Sequence, residues 1–522
     1  MKVAHCPACG GIVEFRVASS LVTICEHCHS AIARGDKALE DYGKVADLVD
    51  SQSPLRLGLQ GNYRGKNYEI VGRVQYQHPA GGVWDEWYMA FGGDRWGWLA
   101  EAQGRFYVTF EVPLHSSTSV PAFDQLEAGQ AYNLGKIGVL KVGERNEAVA
   151  ASAQGEIPWQ FKPGATVRFA DLYGPQSQFA TLDYSDAEPR IYVGVELALD
   201  DLGLPKSSFS EEKPAREVKG LQLNCPKCGG ALELHAPDAA QRVACPYCGS
   251  LLDVEQGNLR YLKTLKPGRI APLIPLGTTG TFAGTSYTVI GFLVRSVTEE
   301  GVVYRWQEYL LYNPNVGFRW LVNSDDHWNF VSPVPPGDVD DHETSAYFAG
   351  KSFRLFQTGQ ATVRQVLGEF YWKVEVGETV STRDLIRPPE ALSIETGKGE
   401  QNISLGIYVR PEEIEKAFGV TNLRRSWSIG MNQPGPAVGI MTLTWLAFAA
   451  LLVVIDIALS SRKTPQVDQR FLFYTLLLIS LVPIAVLLYR ASFESRRWQN
   501  SNVVRQSSFA GLFDGASDDD DD

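Results

Sequence analysis

Along most of the chain apolar and polar residues alternate in short runs broken by Gly, Pro, Asn and Asp, the period-two pattern of half-buried strands. Runs at 68–74, 84–91, 96–99 and 105–112 are examples, and the pattern returns after residue 274. It predicts two antiparallel β domains, sandwiches or small barrels, at 54–200 and 274–413. Between 36 and 50, Leu39, Tyr42, Val45 and Val49 recur at three- and four-residue steps and predict a short amphipathic connecting helix. Residues 201–220 mix Lys, Glu, Ser and Pro with few large apolar side chains and read as a linker.

Near the C-terminus the pattern changes in kind. No charged residue separates Arg425 from Asp456, and 471–489 is a second uncharged run, interrupted by Pro483. Nineteen helical residues span ~28 Å, about the thickness of a bilayer's hydrocarbon core. Segments 437–459 and 471–489 therefore predict a two-pass transmembrane hairpin. Arg424, Arg425, Arg490, Arg496 and Arg497 flank it, against Arg462, Lys463 and Arg470 in its loop, which puts both chain ends on the cytoplasmic side of the cell (inner) membrane. Residues 490–522 predict a disordered acidic tail, in which Phe509, Leu512 and Phe513 are a candidate docking peptide for a protein partner.

The eight cysteines fall into two groups of four. Cys6, Cys9, Cys25 and Cys28 form the first and Cys225, Cys228, Cys245 and Cys248 the second, each as two C-x₂-C pairs separated by fifteen or sixteen residues. This is the spacing of a zinc ribbon, at 1–35 and again at 221–255. Four thiolates close a tetrahedral Zn²⁺ shell, so both sites read as structural, with no position left for a reacting water. Glycine follows the second cysteine in three of the four knuckles, where a positive φ is expected. The exception, Cys25-Glu26-His27-Cys28-His29, brings two histidines beside the sulfurs. Metal-binding thiols persist in a reducing compartment, in agreement with the charge argument. No apolar stretch precedes Cys6, and no cleavable signal peptide is expected.

The ribbons are displaced by 219 and 220 residues, and the segments after them repeat at nearly the same interval. Gly61, Gly65, Tyr68 and Gly72 recur as Gly280, Gly284, Tyr287 and Gly291; Tyr88 and Phe91 match Tyr309 and Tyr312; Gly155-Glu156-x-x-Trp159 returns as Gly368-Glu369-x-x-Trp372. The duplicated unit is ribbon plus β domain.

Composition adds three limits. At 522 residues, with 44% apolar and 11% aromatic content, the chain can build several real cores. Its net charge of −12 includes five aspartates at 518–522, and the ribbons carry mixed charge. No basic stripe exists to displace counterions from phosphates, which argues against a nucleic-acid partner. No nucleophile elbow, P-loop, dinucleotide fingerprint or His-Glu-x-x-His occurs. The recurring feature is an aromatic and carboxylate neighbourhood, Trp84, Glu86, Trp87 and Trp98 in the first copy and Trp306, Glu308, Tyr309 and Trp320 in the second. It is a candidate surface for a cationic ligand by charge and cation–π contact, against the competing use of such aromatics in packing.

The motifs Tyr68-x₃-Gly72, Trp84-Asp85-Glu86-Trp87 and Trp96-x-Trp98-Leu99, with Tyr287-x₃-Gly291, Trp306-x-Glu308-Tyr309 and Trp320-Leu321, resemble a bacterial family, the domain of unknown function numbered forty-one seventy-eight. The resemblance covers both β domains and implies a bacterial origin and a connection with envelope stress or membrane maintenance, with no established activity. The expectation is a non-enzymatic, membrane-anchored cytoplasmic binding or scaffold protein with two structural zinc ions. Its expected partners are the lipid bilayer and a protein held through the β domains or the tail. The alternatives are a hydrolase using Glu86, Glu308, Glu156 or Glu369, and an accessory subunit of a channel or transporter.

Overall fold

The computed structural model describes residues 2–501 except 36–38, 49–52, 80–81, 94, 103–104, 115–119, 206–220, 237–239, 256–257, 266–269, 300–301, 315, 398, 426–437, 460–468 and 500; residues 502–522 also lie outside the description. The docking peptide expected in the tail and most of the expected linker therefore fall outside the described residues.

Each β domain is a closed eight-stranded antiparallel barrel. In the first, β1 (Lys66–Gln77), β2 (Val83–Phe91), β3 (Arg95–Ala102) and β4 (Arg105–Val112) form one meander, and β5 (Val139–Ile157), β6 (Thr166–Tyr173), β7 (Gln178–Asp183) and β8 (Arg190–Leu197) form another. The halves join where β4 pairs β8, Phe106 opposite Leu197, and close where β5 pairs β1, Gly155 opposite Gly72. The second copy repeats this with β9 (Thr285–Glu299), β10 (Val302–Asn313), β11 (Gly317–Ser324), β12 (His327–Val334), β13 (Lys351–Phe370), β14 (Thr379–Arg387), β15 (Glu390–Thr396) and β16 (Gln401–Val409). Tyr76 lies opposite Trp84, and Arg295 lies opposite Trp306, so the first hairpin is three residues longer in the second copy. That insertion corrects the expected correspondence of Tyr88 with Tyr309. Tyr309 pairs with Phe292 as Trp87 pairs with Arg73, and the structural equivalent of Tyr309 is Trp87.

Strand alternation gives each barrel two apolar regions. In the first, Tyr76, Tyr88, Ala148 and Phe169 point into the lumen, where they pack with Val22, Ile24, Ala31 and Ala33 of the ribbon. Tyr68, Trp87, Met89 and Leu99 face outward and are covered by Leu55, Leu59, Leu202 and Leu204 from the segments flanking the barrel. Part of the expected linker is thus core: Leu202 is fully buried and the OH of Tyr68 donates to its carbonyl oxygen at 2.9 Å.

The ribbons are grown onto the barrels. Val22–Ile24 pairs with the end of β5, and Arg242–Ala244 with the end of β13. The repeated glycines and glutamates explain the attachment. At the crossing of β1 and β5 the backbones approach so closely that a Cβ on Gly72 would lie 1.8 Å from the carbonyl oxygen of Glu156, and Gly155 adopts φ +74. The Glu156 carboxylate then accepts the backbone N–H of Arg16 at 2.9 Å and of Val17 at 3.0 Å, together with the Ser20 hydroxyl. Glu369 does the same for His235 and Ala236, at 2.7 and 2.9 Å. These two carboxylates anchor the ribbons, and neither is presented to a cleft as a hydrolase would require.

The helix expected over 36–50 is instead the strand Leu39–Lys44, paired with Ser30–Arg34. Gly43 has φ +98, outside any helix, and the Asp41 carboxylate accepts its N–H, so local turn chemistry and the neighbouring strand override the periodicity. The barrels pack together through β5: Glu144 bridges Glu400, and the Arg145 N–H donates to Gly399 at 2.8 Å.

After α1 (Pro411–Phe418), which packs Ile414 and Phe418 on the second barrel, come α2 (Val438–Leu459) and α3 (Gln469–Gln499). They contact one another through Trp445, whose Nε1 donates to Ser480 Oγ at 3.0 Å. Among the described residues one helix is long and apolar enough to cross a membrane, Gln469–Tyr489 within α3. The apolar described part of α2, Thr442–Ala458, is shorter, so a second crossing is not supported. Helix α3 also continues ten residues past the expected end of the span, so 490–499 is helical. Its apolar side chains face outward, Leu478 and Val482 being 66% and 69% exposed, which is not the arrangement of a core helix.

Replacing Glu156 by Ala leaves buried N–H groups without an acceptor and should cost about 2–4 kcal/mol. Chemical denaturation of the Glu156→Ala chain, with the exposed Glu147→Ala as control, is expected to show the loss in the first variant alone.

Candidate functional site

Two kinds of site stand out. The first is the pair of cysteine quartets. In each, the four sulfurs lie within 4.8 Å of one another, with Cys6–Cys28 and Cys9–Cys25 at 3.7 Å, Cys225–Cys248 at 3.8 Å and Cys228–Cys245 at 3.9 Å. Four sulfurs placed tetrahedrally ~2.3 Å from one ion are about 3.8 Å apart, so both quartets fit a single metal ion. Gly10, Gly229 and Gly249 have φ +78, +73 and +67, as expected after the second cysteine of a knuckle. His29 takes the equivalent conformation, φ +58, without being glycine. His27 covers the facing glycine, Gly11, as Tyr247 covers Gly230, and neither histidine joins the quartet. Hydrogen bonding from Ser30 and Ser250 draws the Cys28 and Cys248 thiols down to about 6, whereas burial and the neighbouring thiols push Cys245 up to about 12. Four sulfurs at this spacing could hold one metal ion, which would draw the remaining thiols into the thiolate form.

The second site is the lumen of the first barrel. Trp84, Glu86 and Trp98 project into it from alternate positions of β2 and β3; Trp87, one residue out of phase, lies outside and is fully buried, with its Nε1 donating to Glu101 at 3.2 Å. In the second copy Trp306, Glu308 and Trp320 face inward. Tyr309 lies outside against Phe292 and Trp328. Parity thus divides the eight aromatic and acidic residues singled out in the sequence into six that line lumens and two that pack outer cores.

The sequence reading does not single out the lumen-facing residues of β6, β7 and β8. Asp171, Asp183 and Tyr192 point inward with Glu86. Aromatic rings wall the space, Tyr76 stacked on Trp84 at 5.2 Å and Trp98 against Tyr192 at 4.7 Å. The cavity measures 2240 Å³ and reaches Phe318, Tyr371, Trp372 and Glu400 of the second unit. Burial, reinforced by Asp183, pushes the Glu86 carboxyl up to about 7, and burial with the charges of Glu144 and Glu86 pushes Asp171 up to about 8. The signal for these residues is the alternation Phe169-x-Asp171-x-Tyr173 and Phe179-x-Thr181-x-Asp183, which places acids among inward aromatics.

At the junction of the barrels His78, Glu144 and Glu400 offer three ligand atoms within 4.8 Å of one another. His78 Nε2 is 2.6 Å from Glu144 and 3.8 Å from Glu400, and the Asn146 amide reaches both His78 and Glu144. Burial works to lower the His78 pKa, but the Glu144 carboxylate prevails and raises it. The hydrogen-bonded pair His78–Glu144 belongs to the first barrel, and Glu400 reaches it from the second at ion-pair distance.

A family model described as "Domain of unknown function (DUF4178)" matches residues 56–198 and 275–411, the two barrels with neither ribbon. No curated protein and no solved structure matches the chain.

These geometries have two measurable outcomes. Elemental analysis should find two metal ions per chain, one for each quartet, falling to one when Cys225 and Cys228 are both changed to Ser. Because the folded pKa values of Glu86 and Asp171 are raised, the folded state holds protons that the unfolded chain releases near pH 4, and their contribution to stability declines as pH rises from there to about 8. In thermal melts without added ligand, Glu86→Gln should gain a few °C on the native chain at pH 8.5 and little at pH 5.

Proposed function

The chain belongs to the DUF4178 family, carrying its domain twice, and from the unlike interiors of the two copies we propose that it is a non-enzymatic, membrane-anchored binding protein whose first barrel takes up a small molecule. The observation that carries this reading is the 2240 Å³ cavity that takes in the lumen of the first barrel and runs past its rim to Leu55, Leu199 and the second unit, walled within the lumen by aromatic rings and punctuated by a few carboxylates. Pockets for small molecules are built this way, with apolar walls for affinity and sparse polar groups for orientation. The strongest carboxylates outside the lumens, Glu156 and Glu369, are already saturated by ribbon N–H groups, which leaves the hydrolase alternative without a free acid–base pair there.

In this reading the metal of each quartet is zinc, a redox-inert ion suited to four thiolates, and its task is to hold a ribbon against a barrel end. In the same reading helix α3 anchors the barrels to a bilayer, and a cytoplasmic side is supported by eight free cysteines that would persist in a reducing compartment. Anchoring confines the binding unit to the membrane surface, where it meets ligand or partner protein at raised effective concentration.

Two measurements test this. Solvent extraction and mass spectrometry of the full chain purified in mild detergent should recover a bound small molecule, lost when the lumen-facing Ala100 is changed to Trp while metal content is kept. If the native chain carries nothing and no metabolite panel shifts its melting temperature, the receptor reading fails. Removal of residues 438–522 should move the protein from the membrane fraction to the soluble one.

A further inference from the structure

The two barrels differ at one lumen position in a way that names a ligand class. Strand register superposes Glu86 on Glu308, Asp171 on Asp384 and Asp183 on Glu395. Each lumen therefore carries three carboxylates at matching places. In the second barrel a cation is built in: Arg295 Nη1 donates to Glu395 at 2.7 Å and its Nε lies 3.7 Å from Glu308. The residue at that position in the first barrel is Tyr76, opposite Trp84 as Arg295 is opposite Trp306. The first lumen has the acids without the arginine.

The other cations of the first lumen are engaged elsewhere. Arg105 makes a two-point pair with Glu196, Arg190 turns to Asp186 at the rim, and His78 is held by Glu144. Glu86 accepts from the Tyr88 hydroxyl at 3.3 Å and Asp171 from Thr181 at 2.7 Å; among the described residues no Lys or Arg forms an ion pair with either. Glu86, Asp171 and Asp183 are half-buried on the cavity wall, and sheltered carboxylates beside aromatic faces are the surroundings that an organic cation satisfies, by charge and by cation–π contact together. A bare metal ion would use the acids and leave the rings idle. The space is also far larger than an ion needs.

We infer that the first barrel binds an organic cation, an alkylammonium or alkylguanidinium group, in the place that the Arg295 side chain occupies in the second, with Glu86, Asp171 and Asp183 as its counter-charges. This rests on the small-molecule reading above and specifies its chemistry. The second barrel is then a permanently filled copy, its ligand supplied by its own chain.

The test uses the full chain in mild detergent and three probes: n-propylguanidinium, its neutral isostere N-propylurea, and n-butylammonium. Calorimetry should show saturable binding of the two cations and none of the urea. Glu86→Gln should weaken cation binding about tenfold or more, the loss of one charge-assisted contact. Tyr76→Arg, which copies the second barrel into the first, should abolish cation binding while keeping or raising the melting temperature. If Tyr76→Arg does not fold, Glu86→Gln decides. Binding of the urea as tightly as the cations would overturn the charge assignment and spare the receptor reading. Binding of Mg²⁺ or Ca²⁺ in a Glu86-dependent way, without the alkyl cations, would replace the organic cation by a metal. No binding of any probe, with no small molecule recovered from the native chain, would remove both.

Discussion

In each unit one long strand is forced against another at a pair of glycines, and the rest of the molecule is hung on that crossing. Gly72 meets Gly155 and Gly291 meets Gly368, each where a side chain would collide with the neighbouring backbone. The close approach lets β5 and β13 close their barrels and then continue outward to pair with a ribbon. The next residue in each strand, Glu156 or Glu369, binds the ribbon turn by its backbone. A single dipeptide, Gly-Glu, thus shuts the barrel and attaches the ribbon that caps it.

Much of this is legible in the amino-acid order alone. Thiol spacing identifies both ribbons, because metal geometry leaves little freedom between C-x₂-C pairs, and the period-two runs identify the β domains and their duplication. Topology is less legible. Nothing local in β4 announces that it pairs with β8, 79 to 91 residues away. The strand Leu39–Lys44 is hidden because three- and four-residue spacing mimics a helix, and only Gly43 and the partner strand decide. The candidate site is half readable. Composition draws the eye to Glu86 and Trp84, but it groups Trp87 with them although that ring points to the other face of the sheet. Asp171 and Asp183 escape such a reading because they reach the same space from strands far along the chain.

Duplication makes the lumens informative as a pair. Three carboxylates persist at matching places in both, with Glu395 standing for Asp183, and the second barrel supplies their counter-charge itself. In the second barrel Arg295 neutralises Glu308 and Glu395 within the chain, and its guanidinium, though buried, is held charged by them. The first barrel keeps its acids among rings and open volume. One interior carries its own cation and the other opens into a cavity, from nearly the same scaffold.

The wall between the barrels carries a consequence of its own. Glu400, from the turn between β15 and β16, closes the end of the first lumen beside His78 and Glu144, so the chamber is completed by a residue of the sister unit. The halves are not beads on a string. A fragment holding only residues 1–205 would have a breach where Glu400 and Tyr371 now stand. In the reading proposed above, a solute held in the chamber would be enclosed by both units, and its presence would be felt at the junction of the barrels.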